Sequence, residues 1–367
     1  MSVSTTESDP AIEAAEATTI VVWRGERIPF ADVPARIADT DGRAERNALF
    51  AGWIQAVDAL NSLYVARLAH WQDGGGPRDA PDSGAASMHI ERLTAESETV
   101  YYAALRRYLA VIDIEQGDAT IADLWHIERG TAWGHWFGQR EVARAIAEAG
   151  REAHDPGHLT GWRGAEAQLV GRQDADMPLG MAVIGELYGS LVGDPEWLGR
   201  ALRMAPDDIG AYADFAAFIR LWRLRRAMGL VQFENRLLRT DDEALNRAYY
   251  AGIVGHITGI DVPEAAYLRD VGRPGASATR LDRSLLAGAL AEALEARFGH
   301  AWWSEQRARD MVQEFAGADS VRDALARIGY DSLDWRPVLR QIRTRLIGEM
   351  SGYGGPNITT RAGTRKV

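Results

Sequence analysis

The chain has 367 residues, a formal charge of −11 at pH 7 and no cysteine. The acidic balance argues against a general nucleic-acid binder, whose surface would carry a basic face. The missing thiols exclude disulfides, Cys-ligated zinc and cysteine nucleophiles.

No apolar run approaches the ~20 residues of a membrane span. The first residues (MSVSTTESDPAIEAAEA) are acidic and Ala-rich, without the basic-then-apolar order of a signal peptide. A cytoplasmic protein is expected, with neither a membrane nor a nucleic acid as partner. Arginine supplies all the basic residues except Lys366, a bias that GC-rich codon usage explains.

Residues 1–18, poor in bulky apolar side chains, read as a disordered tail. TTIVVW (18–23) has strand composition, and a Gly-containing turn follows in RGERIPF. Helical periodicity then takes over. Leu49, Phe50, Trp53, Ile54, Val57, Leu60, Leu63 and Tyr64 recur at three- and four-residue steps, one apolar stripe on a long helix. Residues 72–87 (QDGGGPRDAPDSGAAS) read as a loop. Further helices follow in ERLTAESETVYYAALRRYLAVIDIE, DATIADLWHIERG, LGMAVIGELYGSLV, the long DDIGAYADFAAFIRLWRLRRAMGLVQFENRLLR and EALNRAYYAGIVGHITG. The last group is LDRSLLAGALAEALEARFG, WSEQRARDMVQEFAG, SVRDALARIG and DWRPVLRQIRTRLIGEM, with Gly299 and Gly329 at C-cap positions. The expected class is all-α: a multi-helix scaffold with a minor N-terminal strand element. Its expected divisions are a tail (1–18), an N-terminal helical region (19–150), a C-terminal helical region (151–350) and a flexible basic tail (351–367).

Four stretches, in order, carry a resemblance. They are WRGERIPFADVPARIADTDGRAERNALFAGW; VIGELYGSLVGDPEWLGRAL; FIRLWRLRRAMGLVQFENRLL with YYAGIVGHITGIDVPEAAYLRDVG; and LLAGALAEALEARFGHAWW. Together they cover about two-thirds of the chain. Their order resembles the helical zinc peptidases of the thimet oligopeptidase and oligoendopeptidase F type. That resemblance implies two helical walls around a peptide channel, and a zinc held by H-E-x-x-H with a Glu from a following helix. The interval between TAWGHWFGQREVARAIAEAG and LGMAVIGELYGSLV is too short for that catalytic segment, so a peptidase-like scaffold without it is expected.

REAHDPGHLTGW (151–162) is the nearest approach to the zinc motif. Read functionally, His154, His158 and Glu186 would be ligands and Asp155 the base. Pro156 and Gly157 oppose this, because two imidazoles four residues apart converge only on a helical backbone and D-P-G is a turn sequence. No catalytic residue and no cofactor are therefore expected; the alternative is a metal-dependent hydrolase with rearranged zinc ligands. His126 and His135, flanked by tryptophans, read as packing residues, and His256 as a core residue. Arg223, Arg225 and Arg226, with Tyr249 and Tyr250, are candidates to line a channel, each with a simpler reading as surface arginine or core aromatic.

The sequence ends in SGYGGPNITTRAGTRKV, which holds three basic residues and no acid. A Gly-Gly-Pro break before a short polar peptide resembles a ribosomal precursor that a tailoring enzyme modifies. Gly354, Gly355, Pro356, Asn357, Thr359, Thr360, Arg361, Thr364, Arg365, Lys366 and Val367 are thus candidate partner-binding or substrate residues. The expected function is a non-catalytic scaffold (a pseudoenzyme) that binds a peptide or protein partner, such as a peptide-modifying enzyme, and presents this tail. A homo-oligomer is a further expected partner state.

Overall fold

Ile20–Trp23 (β1) and Glu26–Pro29 (β2) pair antiparallel, Ile20 opposite Pro29 and Trp23 opposite Glu26. Arg24 and Gly25 turn the chain with φ of 54° and 81°, the two positive values of a type I′ hairpin. The computed structural model describes residues 10–73, 83–133, 178–237, 239–240, 242–271 and 275–348.

Everything else regular among the described residues is helical, and the all-α expectation with a minor strand element holds. The helices are Pro10–Thr18 (α1), Val33–Asp39 (α2), Arg43–Asp73 (α3), Ser83–Val111 (α4), Ile121–Glu128 (α5), Leu179–Leu191 (α6) and Pro195–Ala201 (α7). They continue with Pro206–Leu237 (α8), Glu243–Thr258 (α9), Tyr267–Val271 (α10), Ala276–Phe298 (α11), Gln306–Ala316 (α12), Val321–Ile328 (α13) and Arg336–Gly348 (α14). No helix among them is long and apolar enough to cross a membrane.

Residues 10–18 correct the tail expectation. They form α1 because Ile12 is buried and Glu16 accepts a 2.6 Å hydrogen bond from the Tyr64 hydroxyl on α3. One apolar anchor and one polar tie suffice for a short helix on a preformed surface. Helix takes part of the loop expected at 72–87: α3 runs to Asp73 and α4 begins at Ser83, and 74–82 lie outside the described residues.

The α3 stripe packs as its spacing predicts: Leu49, Trp53, Val57, Leu60 and Tyr64 are buried, with Phe50, Ile54 and Leu63 against them. Each fully buried side chain of this size contributes about 1.5–3 kcal/mol. A buried ion pair fixes the helix end, with Arg46 Nη2 donating to Asp123 Oδ1 at 2.9 Å. Asp123 also closes a capping box with Thr120 at the start of α5.

Two apolar clusters build the interior. The larger joins β1, β2 and α2–α5 to most of α8, α9, α10 and α14, so it draws on both sides of residue 150. The smaller joins α6, α7, α12 and α13. Two helices span both. Ala213 of α8 lies in the smaller cluster and Phe215–Leu237 in the larger; Leu281 and Leu285 of α11 lie in the larger and Leu286–Leu294 in the smaller. Gly288 lets α11 and α14 approach closely, since a Cβ there would meet Val338 Cγ2 at 2.1 Å.

Candidate functional site

FIRLWRLRR on α8 buries Phe218, Leu221, Trp222 and Leu224 and distributes four arginines round the helix. Arg225 sits about 140° from Arg220 by helix geometry, and it points into the core. Its Nε donates to the Ile257 carbonyl at 2.7 Å, and its Nη1 to the Thr94 carbonyl at 2.9 Å and Ser97 Oγ at 2.7 Å. The guanidinium lies 4.5 Å from the Tyr101 ring centre. Burial lowers its pKa, against the pull of Tyr101 and Tyr102. Arg225 therefore corrects its candidacy as a channel residue: it pins α8 to α4 and α9.

The other arginines of this run meet a second group. Arg220, Arg223, Arg280 and Arg283 all act electrostatically on the carboxylate of Glu186, which α6 presents. α6 and α8 each pack against α11, so three helices contribute to this wall.

Some of these charges are matched. Arg226 Nη2 and the Tyr250 hydroxyl both donate to Asp270 Oδ2 at 2.5 Å. Burial raises Asp270, but the attraction of Arg226 and the Tyr250 hydrogen bond outweigh it, and its pKa lies below the ordinary aspartate value. Arg223 Nε donates to Glu128 Oε1 at 2.6 Å. Glu234 accepts from the backbone N–H groups of Gly275 and Ser277 at 3.0 and 3.2 Å, fixing the start of α11. Burial pushes Glu234 up to about 7 despite those bonds.

Others are not. Arg220 donates to the neutral Gln341 Oε1 at 3.1 Å. Arg280 has no hydrogen bond or ion pair among the described residues. Burial lowers the pKa of both. It raises that of Glu186, against the attraction of the arginines around it. Arg223 and Arg226 are thus paired with Glu128 and Asp270, while Glu186 lies in the combined field of Arg220, Arg223, Arg280 and Arg283.

Of the residues singled out in the sequence, Glu186 lies in this wall, while His154, His158 and the tail residues 354–367 lie outside the described residues. The field of four arginines disfavours a divalent cation at Glu186. Among the described residues no group of three or more His, Cys, Asp or Glu is arranged for a metal. His126 joins α5 to α2 through Nδ1 and the Ala38 carbonyl at 2.8 Å, a packing role; His135 lies outside the described residues. His256 corrects its core reading: its side is exposed, and only its carbonyl is used, by the Tyr102 hydroxyl. Tyr250 is fully buried, and Tyr249 stacks under Arg236 at 4.4 Å beside an open cleft of about 440 Å³.

Sequence reasoning missed Arg220 and Arg280. The signal available was the three-residue spacing of Arg220, Arg223 and Arg226, which places them together and Arg225 apart; Arg280 had none.

No family model, no curated protein and no solved structure matches this chain.

Proposed function

We propose that the protein is a non-catalytic, peptidase-like helical scaffold that binds a peptide or protein segment on the wall of α6, α8 and α11. The observation that carries this reading is the pair of half-buried arginines, Arg220 and Arg280, with no carboxylate at ion-pair distance among the described residues. A fold gains no stability by taking an unmatched cation out of water, which supports a binding role for this wall. The positive field at Glu186 supports a binding role over zinc hydrolysis.

The test compares a labelled Glu/Ser peptide with a Lys/Ser peptide of equal length by fluorescence anisotropy. The acidic peptide should bind, more weakly as salt rises. Equal binding, or a preference for the basic peptide, would sink the reading.

The basic tail, with Arg361, Arg365 and Lys366, is electrostatically unsuited to this wall. In this reading it serves a partner's acidic cleft, as substrate or recognition element of a tailoring enzyme. Intact-mass measurement of protein co-expressed with its neighbouring genes checks this: a mass change confined to residues 351–367 supports it, and an unmodified, dispensable tail defeats it.

A further inference from the structure

We propose that the cleft between α4, the last turns of α8 and α9 is an oxyanion site, built on the stacked pair Arg236 and Tyr249, for the carboxylate or phosphate group of a small molecule. It shares no residue with the α6–α8–α11 wall, and either reading can fail without the other.

Gln232, Asn235, Arg236 and Arg239 follow at the three- and four-residue steps that put side chains on one face of a helix. Arg239 lies just past the end of α8 but stays on its last turn, because its N–H donates to the Arg236 carbonyl at 2.8 Å. These four residues line an open cleft of about 440 Å³, together with Tyr249 of α9 and Glu91 of α4. Small-molecule sites fall in the range of about 300–1,000 Å³.

The Arg236 guanidinium carbon sits 4.4 Å from the centre of the Tyr249 ring. A guanidinium stacked on a ring spends its face there and keeps its N–H groups in its own plane. The Arg236 Nε is sealed from solvent and has no hydrogen-bond partner among the described residues. The edge this side chain can turn to the cleft it lines is therefore the pair of Nη groups. That edge is a fork whose spacing matches two oxygens of a carboxylate or phosphate. Arg239 brings a second guanidinium to the same cleft, and Gln232 and Asn235 bring amide N–H donors.

Arg236 also complements the negative end of α8. That role needs a positive charge but neither the fork nor the ring, so charge-conserving substitutions separate it from oxyanion binding. Tyr249→Leu frees the guanidinium from its stack, and Arg236→Lys replaces the fork by a point charge.

Calorimetric titration in chloride buffer at constant ionic strength, with inorganic phosphate and with malonate, should show saturable binding of at least one; the tighter probe names the group the cleft takes. Both charge-conserving variants should weaken that probe by about tenfold or more, the range of a charged hydrogen bond. Glu91→Gln, at an exposed position, should tighten it, since an acid in the lining repels a bound anion. No saturable binding of either probe, or binding untouched by both charge-conserving variants, would overturn the proposal. Should those variants fail to fold, the wild type and Glu91→Gln still decide: equal affinity in the two would place the anion elsewhere.

Discussion

Two sets of arginines, one fully buried and one half-buried, divide this molecule. Around α4, α5 and the inner side of α8, Arg46 and Arg225 spend their donors on the protein: Arg46 on Asp123 and on the carbonyls of Thr40 and Asp41, Arg225 on two carbonyls and a serine. On the α6–α8–α11 wall, Arg220 donates to the neutral Gln341 Oε1, and Arg280 has no hydrogen-bond partner among the described residues. The same residue type thus does two jobs, and the difference lies in depth and in what stands opposite: Arg46 and Arg225 are fully buried, Arg220 and Arg280 half-buried. A matched guanidinium holds helices together. An unmatched one keeps its electrostatic potential for something else.

The comparison breaks most visibly at Asp123. Asp123→Ala leaves Arg46 buried without its counter-charge, and unfolding stability should fall by about 3–5 kcal/mol in chemical denaturation. A loss under 1 kcal/mol would remove the structural half of the contrast.

Glu234 sharpens it through pH. Its native pKa, about 7, exceeds the ordinary 4.5, so between those values the native state binds more protons than the unfolded state. Its contribution to stability is therefore favourable at low pH, declines as pH rises from 4.5 to about 7, and is flat above. The full swing is of order 3 kcal/mol. Glu234→Gln should abolish that part of the slope; parallel stability–pH curves for wild type and variant would refute it.

Smaller effects follow. Thr120→Ala removes one side of the α5 capping box and should lower stability by about 1 kcal/mol. Arg223→Ala removes a partly exposed pair with Glu128 and should change thermal stability by less than about 1 kcal/mol. A large loss there would move Arg223 into the structural set.

How much of this was legible beforehand depends on range. The α3 stripe could be read because each of its residues reports on neighbours three and four positions away. The caps were equally local: Gly299 and Gly329 have φ of 84° and 79°. α1 was not legible, because its order depends on Tyr64, 48 residues from Glu16. The wall was half-legible. Arg223 and Arg226 stood out as a charged run, but whether an arginine is matched depends on which carboxylates other helices bring. Glu128 and Asp270 are 95 and 44 residues from their partners. No periodicity reports on that.

α8 and α11 each run from one apolar cluster into the other. They act as splints across what would otherwise be a seam, so loosening one cluster withdraws support from the second. Melting should then proceed in a single step, and a fragment cut within either helix should not fold by itself.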